Sequence, residues 1–112
     1  MGDYDHALNR ALSHPIRLFI VTYLADGAWR DTAAIRAETD TAAQTLTGHL
    51  ARLRAVGYIE ARPGQPTHYW RITPLGCTRL TDHVTALEAM VTRVRRILAD
   101  TTPTTPTQGR TP

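Results

Sequence analysis

The sequence predicts a mainly α-helical fold with one small β-hairpin, an α+β protein, on three observations. Apolar residues recur at helical spacing through several segments of the 112 residues. Gly57 stands directly between one such segment and two short runs in which apolar and polar residues alternate. These runs, residues 58–62 and 68–73, flank a loop rich in proline and glycine, which is typical of a hairpin.

Length, charge and cysteine content narrow the functional classes. A chain of 112 residues is long enough for one domain, and a net charge of +3 permits a nucleic-acid partner. All 13 basic residues are arginine, although a coding sequence rich in G and C would favour arginine equally. No apolar run approaches the roughly 18 residues of a membrane span, and the acidic start is unlike a secretory signal. One cysteine allows no internal disulfide, so we expect a cytoplasmic protein without a membrane partner.

The chain divides into four predicted regions: residues 1–13, 14–73, 74–100 and 101–112. The first carries a short helix over residues 4–12 with Leu8 on its apolar face, and the last is a disordered tail of threonine and proline. Pro15 begins the next helix in its first turn, and Gly27 stands where its C-terminal cap is expected. Residues 28–30 could then form a short strand.

Two further helices follow, separated by a turn of about four residues. Asp31 or Thr32 can cap the first of them, and residues 38–41 interrupt its pattern. Thr41 and Gln44 have the spacing of a capping box, which would start the next helix at Thr41. A helix, a tight turn, a second helix and a two-stranded hairpin together make a winged helix-turn-helix.

Three segments carry a resemblance to a known family: HPIRL at 14–18, LTGHLARLRAVGYIE at 46–60 and RITPLG at 71–76. They resemble small MarR/ArsR-type winged helix-turn-helix transcriptional regulators, in this order and spacing. The resemblance implies a homodimer that binds double-stranded DNA at an operator, usually represses, and often responds to an effector. The cysteine-rich metal box of many ArsR-type sensors is absent, so no metal or other cofactor is expected. An enzyme is not expected either.

If the helix after the turn enters a major groove, its N-terminal part should reach the base edges and its arginine the phosphates. A capped, solvated helix face is the alternative for the same residues. The predicted contacts of the recognition helix are Thr41, Gln44, Thr45, Thr47, Gly48 and Arg52. Those of the hairpin, or wing, are Arg62, Gln65, Thr67, His68 and Arg71, which would meet the phosphate backbone or the minor groove.

The last helix has a long apolar seam. Thr73 and Pro74 form a helix start, an N-cap followed by proline at the first position. Apolar residues then recur in alternating steps of four and three, which is the spacing of a coiled-coil seam. We expect this seam to pair with a second copy, helped by the N-terminal helix, so that the operator is near-palindromic; packing back on its own domain is the alternative. The predicted dimer residues are Leu8, Leu80, Val84, Leu87, Val91, Val94 and Leu98.

One cysteine and five histidines complete the candidate chemistry. Cys77 lies in the first turn of the last helix, where a redox switch is conceivable, although a buried inert thiol is commoner. The histidines at 6, 14, 49, 68 and 83 show no metal-ligand spacing.

The predicted function is a cytoplasmic, homodimeric, sequence-specific DNA-binding regulator of transcription, acting as a repressor. A winged helix that binds protein, or a ligand- or thiol-responsive sensor of the same fold, is the alternative.

Overall fold

A computed structural model describes residues 8–64 and 67–101, and shows the predicted α+β winged helix. Three antiparallel strands form one sheet in the order β1-β3-β2, and the hairpin strands are each slightly shorter than predicted. The short strand predicted at 28–30 falls instead at 30–31, where it pairs with the second hairpin strand. The elements are α1 (Pro15–Tyr23), β1 (Arg30–Asp31), α2 (Thr32–Thr39), α3 (Ala43–Ala55), β2 (Ile59–Arg62), β3 (Tyr69–Ile72) and α4 (Pro74–Asp100).

The inner face of the sheet closes a core made by the helices. Ile59 pairs with Ile72, and Ala61 pairs with Trp70, so alternate residues of both hairpin strands point to the same side. This is the face that the alternation predicted, and three of the four side chains on it are buried while Ala61 packs against them. The helices complete the core with Ile20, Val21, Leu24, Ile35, Leu46, Leu50 and Leu53.

The start of the chain differs from the prediction. Residues 8–13 form turns, not the end of a helix, and residues 1–7 lie outside the described residues. Asn9 sets this conformation, since its side-chain oxygen accepts from the N–H of Leu12 at 3.3 Å and its own N–H donates to Nδ1 of His83 at 2.8 Å. Gly27 is not the C-cap of α1, because the helix ends at Tyr23 and Leu24 caps it. Gly27 closes the following turn with a left-handed φ of 82°.

The turn before α3 also departs from the prediction. Asp31 caps α2 as expected, accepting from the N–H of Ala34 at 2.8 Å. The predicted capping box is wrong, because α3 begins at Ala43 and its N-cap, Ala42, makes no side-chain bond. Thr41 is only 9 % exposed, and its hydroxyl donates to the carbonyl of Thr39 at 3.0 Å. Because this hydroxyl is bonded within the turn, it does not cap α3.

Three elements meet at one junction where α3 ends. Gly57 takes a left-handed φ of 83° one residue after the C-cap, and β2 follows at once. Thr73 caps α4 by accepting from the N–H of Gly76 at 3.0 Å, while its hydroxyl donates to the carbonyl of Gly57 at 2.6 Å. Its own N–H donates to the carbonyl of Tyr58 at 3.0 Å. The ends of α3 and β3 and the start of α4 are therefore hydrogen-bonded to one another.

The long helix α4 has two halves with different surroundings. Its first half packs on the domain, burying Gly76, His83 and Ala86, and Leu80 lies half-buried against the core. Leu80 therefore contributes to its own domain and does not lie on a free seam as predicted. Burial lowers the pKa of His83, which is consistent with a neutral ring whose Nδ1 accepts from Asn9. In the described part of the chain no helix is both long and apolar enough to cross a membrane.

From Val84 onward, most apolar residues of α4 are exposed. Val84, Val91, Val94 and Leu98 are 40 %, 45 %, 47 % and 61 % exposed, and Ile97 is 49 % exposed. The helix ends at Asp100 as predicted, with Thr101 as its C-cap. The tail predicted to be disordered lies, from residue 102 onward, outside the described residues.

Gly76 allows the close approach of α4 to the hairpin, which gives a stability prediction. A Cβ at this position would overlap the carbonyl oxygen of Tyr58 and lie 2.9 Å from Cγ1 of Ile72. We expect Gly76→Ala to destabilise the fold by about 1–3 kcal/mol in urea or thermal unfolding, because backbone atoms must shift. The matched control is Gly48→Ala in α3, where an added Cβ meets nothing within 4 Å. This control should be more stable by about 0.8–1 kcal/mol through helix propensity, and equal effects of the two changes would contradict the assignment.

Candidate DNA interface

The exposed side of α3 carries most of the predicted contacts. Leu46, Leu50 and Leu53 are buried in the core, which fixes the rotation of the helix about its axis. The opposite side, with the two flanks, is exposed along the length of the helix. The predicted residues on this exposed surface are Gln44, Thr45, Thr47, Gly48 and Arg52. Thr41 lies outside the helix and is buried, so the structure removes it from this surface.

These exposed residues differ in what they can offer a base pair. Gln44 is exposed with an amide that has both a donor and an acceptor, the pair that adenine can match. Thr47 donates its hydroxyl to the carbonyl of Ala43 at 3.0 Å, so it keeps an acceptor and a methyl group for DNA. Gly48 has open space above its Cα and allows the backbone to come close to the duplex. Arg52 is exposed and has no hydrogen-bond or ion-pair partner among the described residues.

A cleft of about 650 Å³ lies between α2 and the start of α3, with one residue of the wing at its edge. Arg36 and Thr32 of α2, Thr47 of α3 and Thr67 of the wing line it. The wing is tied to α2 at this point, since the N–H of Thr32 donates to the carbonyl of His68 at 3.2 Å. Arg36 and Asp40 are both exposed and give the cleft one charge of each sign, and the Arg36 guanidinium is the group in it that suits a phosphate. Sequence reasoning missed Arg36, although its position one turn after the helix start is the signal that could have identified it.

The outer face of the sheet holds the wing arginines on an aromatic ring. The guanidinium groups of Arg62 and Arg71 lie 4.6 Å and 4.5 Å from the centroid of Trp29, and Arg62 also lies 5.1 Å from Tyr69. Both arginines are on the outer side of the hairpin as predicted, and the rings restrain them through cation–π contact. No sequence pattern indicated Trp29, because it precedes β1 and meets the arginines only through the pairing of β1 with β3.

The two wing arginines are not equivalent. Nε of Arg71 donates to Oε2 of Glu60 at 2.7 Å, so a carboxylate already neutralises its charge. The Arg62 guanidinium makes cation–π contacts but no hydrogen bond or ion pair with the described residues, so its charge is available for a phosphate. His68 is exposed, and its ring lies against Trp70 with centroids 6.2 Å apart. Gln65 lies outside the described residues.

The structure shows the environment of Cys77 and whether the described residues contain a group of metal ligands. The Cys77 thiol is free and exposed in the first turn of α4, so the expectation of a buried thiol was wrong. Its redox role stays a prediction. The described residues contain no group of three or more histidine, cysteine, aspartate or glutamate side chains placed to hold a metal ion.

Fold and surface together define a class of protein. Residues 16–91 match the family model of the winged helix DNA-binding domain, which is more than half of the chain, and the chain belongs to this family. The predicted resemblance to MarR/ArsR-type transcriptional regulators is confirmed by this match and by the solved structures. The chain is a winged-helix DNA-binding regulator of transcription.

Solved structures show the same architecture. The crystal structure of a possible transcriptional regulatory protein from Mycobacterium bovis (fragment 1–100) is 29 % identical with a TM-score of 0.62, over 78 % of this chain and 92 % of that one. A solution structure from Mycobacterium bovis, a homodimeric winged helix-turn-helix DNA-binding domain and possible ArsR-family regulator, is 26 % identical with a TM-score of 0.56, over 87 % and 84 %. A transcriptional regulator homologue from Pyrococcus horikoshii shares the fold, at 20 % identity and a TM-score of 0.70 over 77 % and 89 %. Among curated proteins, none matches the sequence.

The unequal surroundings of the wing arginines generate a binding prediction. We expect Arg62→Ala to weaken binding to all duplex sequences alike and to lower the slope of log affinity against log salt by about 1, because one phosphate contact is lost. Fluorescence anisotropy with two unrelated duplexes over a salt series measures both. The double variant Glu60→Gln/Arg71→Gln removes an ion pair with no net charge. It should therefore leave the slope of log affinity against log salt unchanged. A loss at a single base position in Arg62→Ala would contradict the phosphate role.

Proposed function

We propose that two copies of the chain pair through α4 and bind a near-palindromic operator with sequence specificity. The observation that carries this proposal is the apolar surface that α4 leaves exposed from Val84 onward, formed by Val84, Val91, Val94 and Leu98 with the half-buried Leu87. Burial is worth about 1.5–3 kcal/mol for each such side chain that moves fully out of water. A second copy with the same seam is the partner that a spacing of four and three residues fits.

Two-fold pairing would determine the form of the DNA site. It presents two α3 helices to successive major grooves, with half-site centres about 34–36 Å apart, and the operator repeats with inverted symmetry. A dimer bound over a promoter blocks access to it, which supports repression as the outcome. The family resemblance, which implies repression and often an effector, supports an unidentified small-molecule effector. A regulator of this kind would work in the cytoplasm.

A protein-binding winged helix is the second candidate, and one observation favours it. The first turn of α3 presents Ala43, Gln44 and Thr45, and the described residues of this turn include no charged side chain. Base readout would then depend on one amide and a few hydroxyl or methyl groups. The experiment below separates the two candidates.

In vitro selection from a random duplex pool at physiological salt tests the operator. We expect the bound fraction to contain an inverted repeat with half-sites about one helical turn apart. Gln44→Ala should relax the preference at one position of each half-site, at a cost of roughly 1–3 kcal/mol there. Arg62→Ala serves as the comparison, because it should weaken binding to all sequences without changing the preference at any base position. If no motif emerges and binding disappears with modest salt, the phosphate contacts are nonspecific and the protein-binding candidate takes its place.

Charge placed on the seam tests the dimer. We expect Leu87→Glu to yield monomers by sedimentation or light scattering and to bind the operator much more weakly, because a carboxylate cannot be buried unpaired between two helices. Ala89→Glu makes the same change on the exposed opposite side of α4 and should remain dimeric. A Leu87→Glu protein that stays dimeric would place the interface elsewhere.

A further inference from the structure

Four basic side chains meet where the start of α1 packs against the middle of α3. His14 precedes α1, Arg17 lies in its first turn, and His49 and Arg52 lie on one flank of α3. The rings of His14 and His49 are 4.5 Å apart between centroids. Nη1 of Arg17 is 3.2 Å from Nδ1 of His49, and Nε of Arg17 donates to the carbonyl of Ala11 at 2.6 Å. We call His14, Arg17, His49 and Arg52 the basic cluster.

Hydrogen bonding determines which ring nitrogens of the cluster remain free. Nδ1 of His14 accepts from the N–H of Ile16 at 3.2 Å, where the histidine caps α1. Nδ1 of His49 faces the guanidinium of Arg17, which can only donate. Both Nδ1 atoms are thus acceptors, so each neutral ring carries its proton on Nε2. The cluster therefore holds two Nε2–H donors that make no hydrogen bond to the described residues.

The charges of the cluster are not balanced. Burial lowers the pKa of His49, and His14 and Arg17 lower it further as neighbouring basic groups. Burial also lowers the pKa of Arg17, with Arg52 adding to the effect. Among the described residues the two ion pairs lie elsewhere, Asp26 with Arg30 and Glu60 with Arg71, and no carboxylate contacts the cluster. An anion is the ligand that complements two N–H donors beside two guanidinium groups.

The position of the basic cluster on α3 indicates that the anion is a DNA phosphate. An α-helix with its side chains nearly fills a major groove about 12 Å wide, so each flank of the helix faces one of the two phosphate strands. One flank of α3 carries Thr47, beside Arg36 and the wing. The other flank carries Thr45, His49 and Arg52, and the start of α1 packs beside it. The wing and the cluster would thus meet opposite strands.

We propose that His14, His49 and Arg52 form a second phosphate-binding site, which holds the DNA strand opposite the wing. Nε2–H of each histidine donates to phosphate oxygens, and Arg52 supplies the charge. Arg17 is a positioning residue, since it orients His49 and anchors the chain at Ala11. The proposal deepens the proposed function and rests on α3 lying in the major groove.

Three variants test the site in the full-length protein by anisotropy with a random-sequence duplex and with any selected operator. His14→Asn keeps a side-chain cap on α1, but its amide N–H₂ lies too close to the backbone to reach the Nε2 position of the ring. We expect its affinity to fall about tenfold for both duplexes with an unchanged salt slope. Arg52→Gln should lower the slope by about 1, because it removes a charge. His49→Gln keeps an acceptor for Arg17 and a donor for the phosphate, and should bind within about threefold of wild type.

Thermal unfolding and phosphate-ethylation interference complete the test. The three variants should unfold close to wild type, and His14→Asn should lose interference only on the strand opposite the one that Arg62→Ala affects. Wild-type affinity of a folded His14→Asn protein, or loss of the same phosphates in both variants, would overturn the site. If selection yields no operator while His14→Asn still weakens random-duplex binding, the sequence-specific function fails and the phosphate site stands.

Discussion

The arrangement of this molecule depends on the hydrogen bonds around Thr73. Its hydroxyl donates to the carbonyl of Gly57 and accepts from the N–H of Gly76, so one side chain joins the end of α3 to the start of α4. Gly57 supplies the left-handed turn, and Gly76 lets the helix lie against the Tyr58 carbonyl. Because α3 would read DNA and α4 would carry the dimer seam, this junction determines how far apart two reading helices would stand. Glycine is required at position 57 by the left-handed backbone and at position 76 by the close approach of the Tyr58 carbonyl.

The candidate DNA interface has a neutral centre and charged flanks. Gln44, Thr45 and Gly48 carry no charge along the exposed part of α3, while Arg36 and Arg62 lie on the wing side and Arg52 with its histidines on the other. Phosphate contacts position a protein on a duplex and base contacts specify the sequence. Because α3 has few groups that could read bases, its orientation on a duplex would depend strongly on the charged side chains of its flanks.

The arginines differ in how much of their charge is available for DNA, because their aromatic and ionic neighbours differ. Arg62 and Arg71 both rest on Trp29, yet Glu60 neutralises only Arg71. Arg30 pairs with Asp26, and its guanidinium lies over the ring of Tyr23. Arginine content and net charge alone could not have ranked Arg62 and Arg71, because Trp29 and Glu60 reach them only through the pairing of the strands.

The sequence by itself determined the elements and their faces, since these depend on local periodicity. The helices around Ile20, Leu50 and Leu80, the hairpin faces and the Thr73–Pro74 start all follow from spacing and capping chemistry. Tertiary structure alone decided where hydrogen-bonding groups found distant partners. It buried Thr41 away from α3, gave residues 8–13 turns tied to His83, paired β1 with the hairpin and brought His14 to His49. Contacts of this kind join residues far apart in the chain, and no local pattern encodes them.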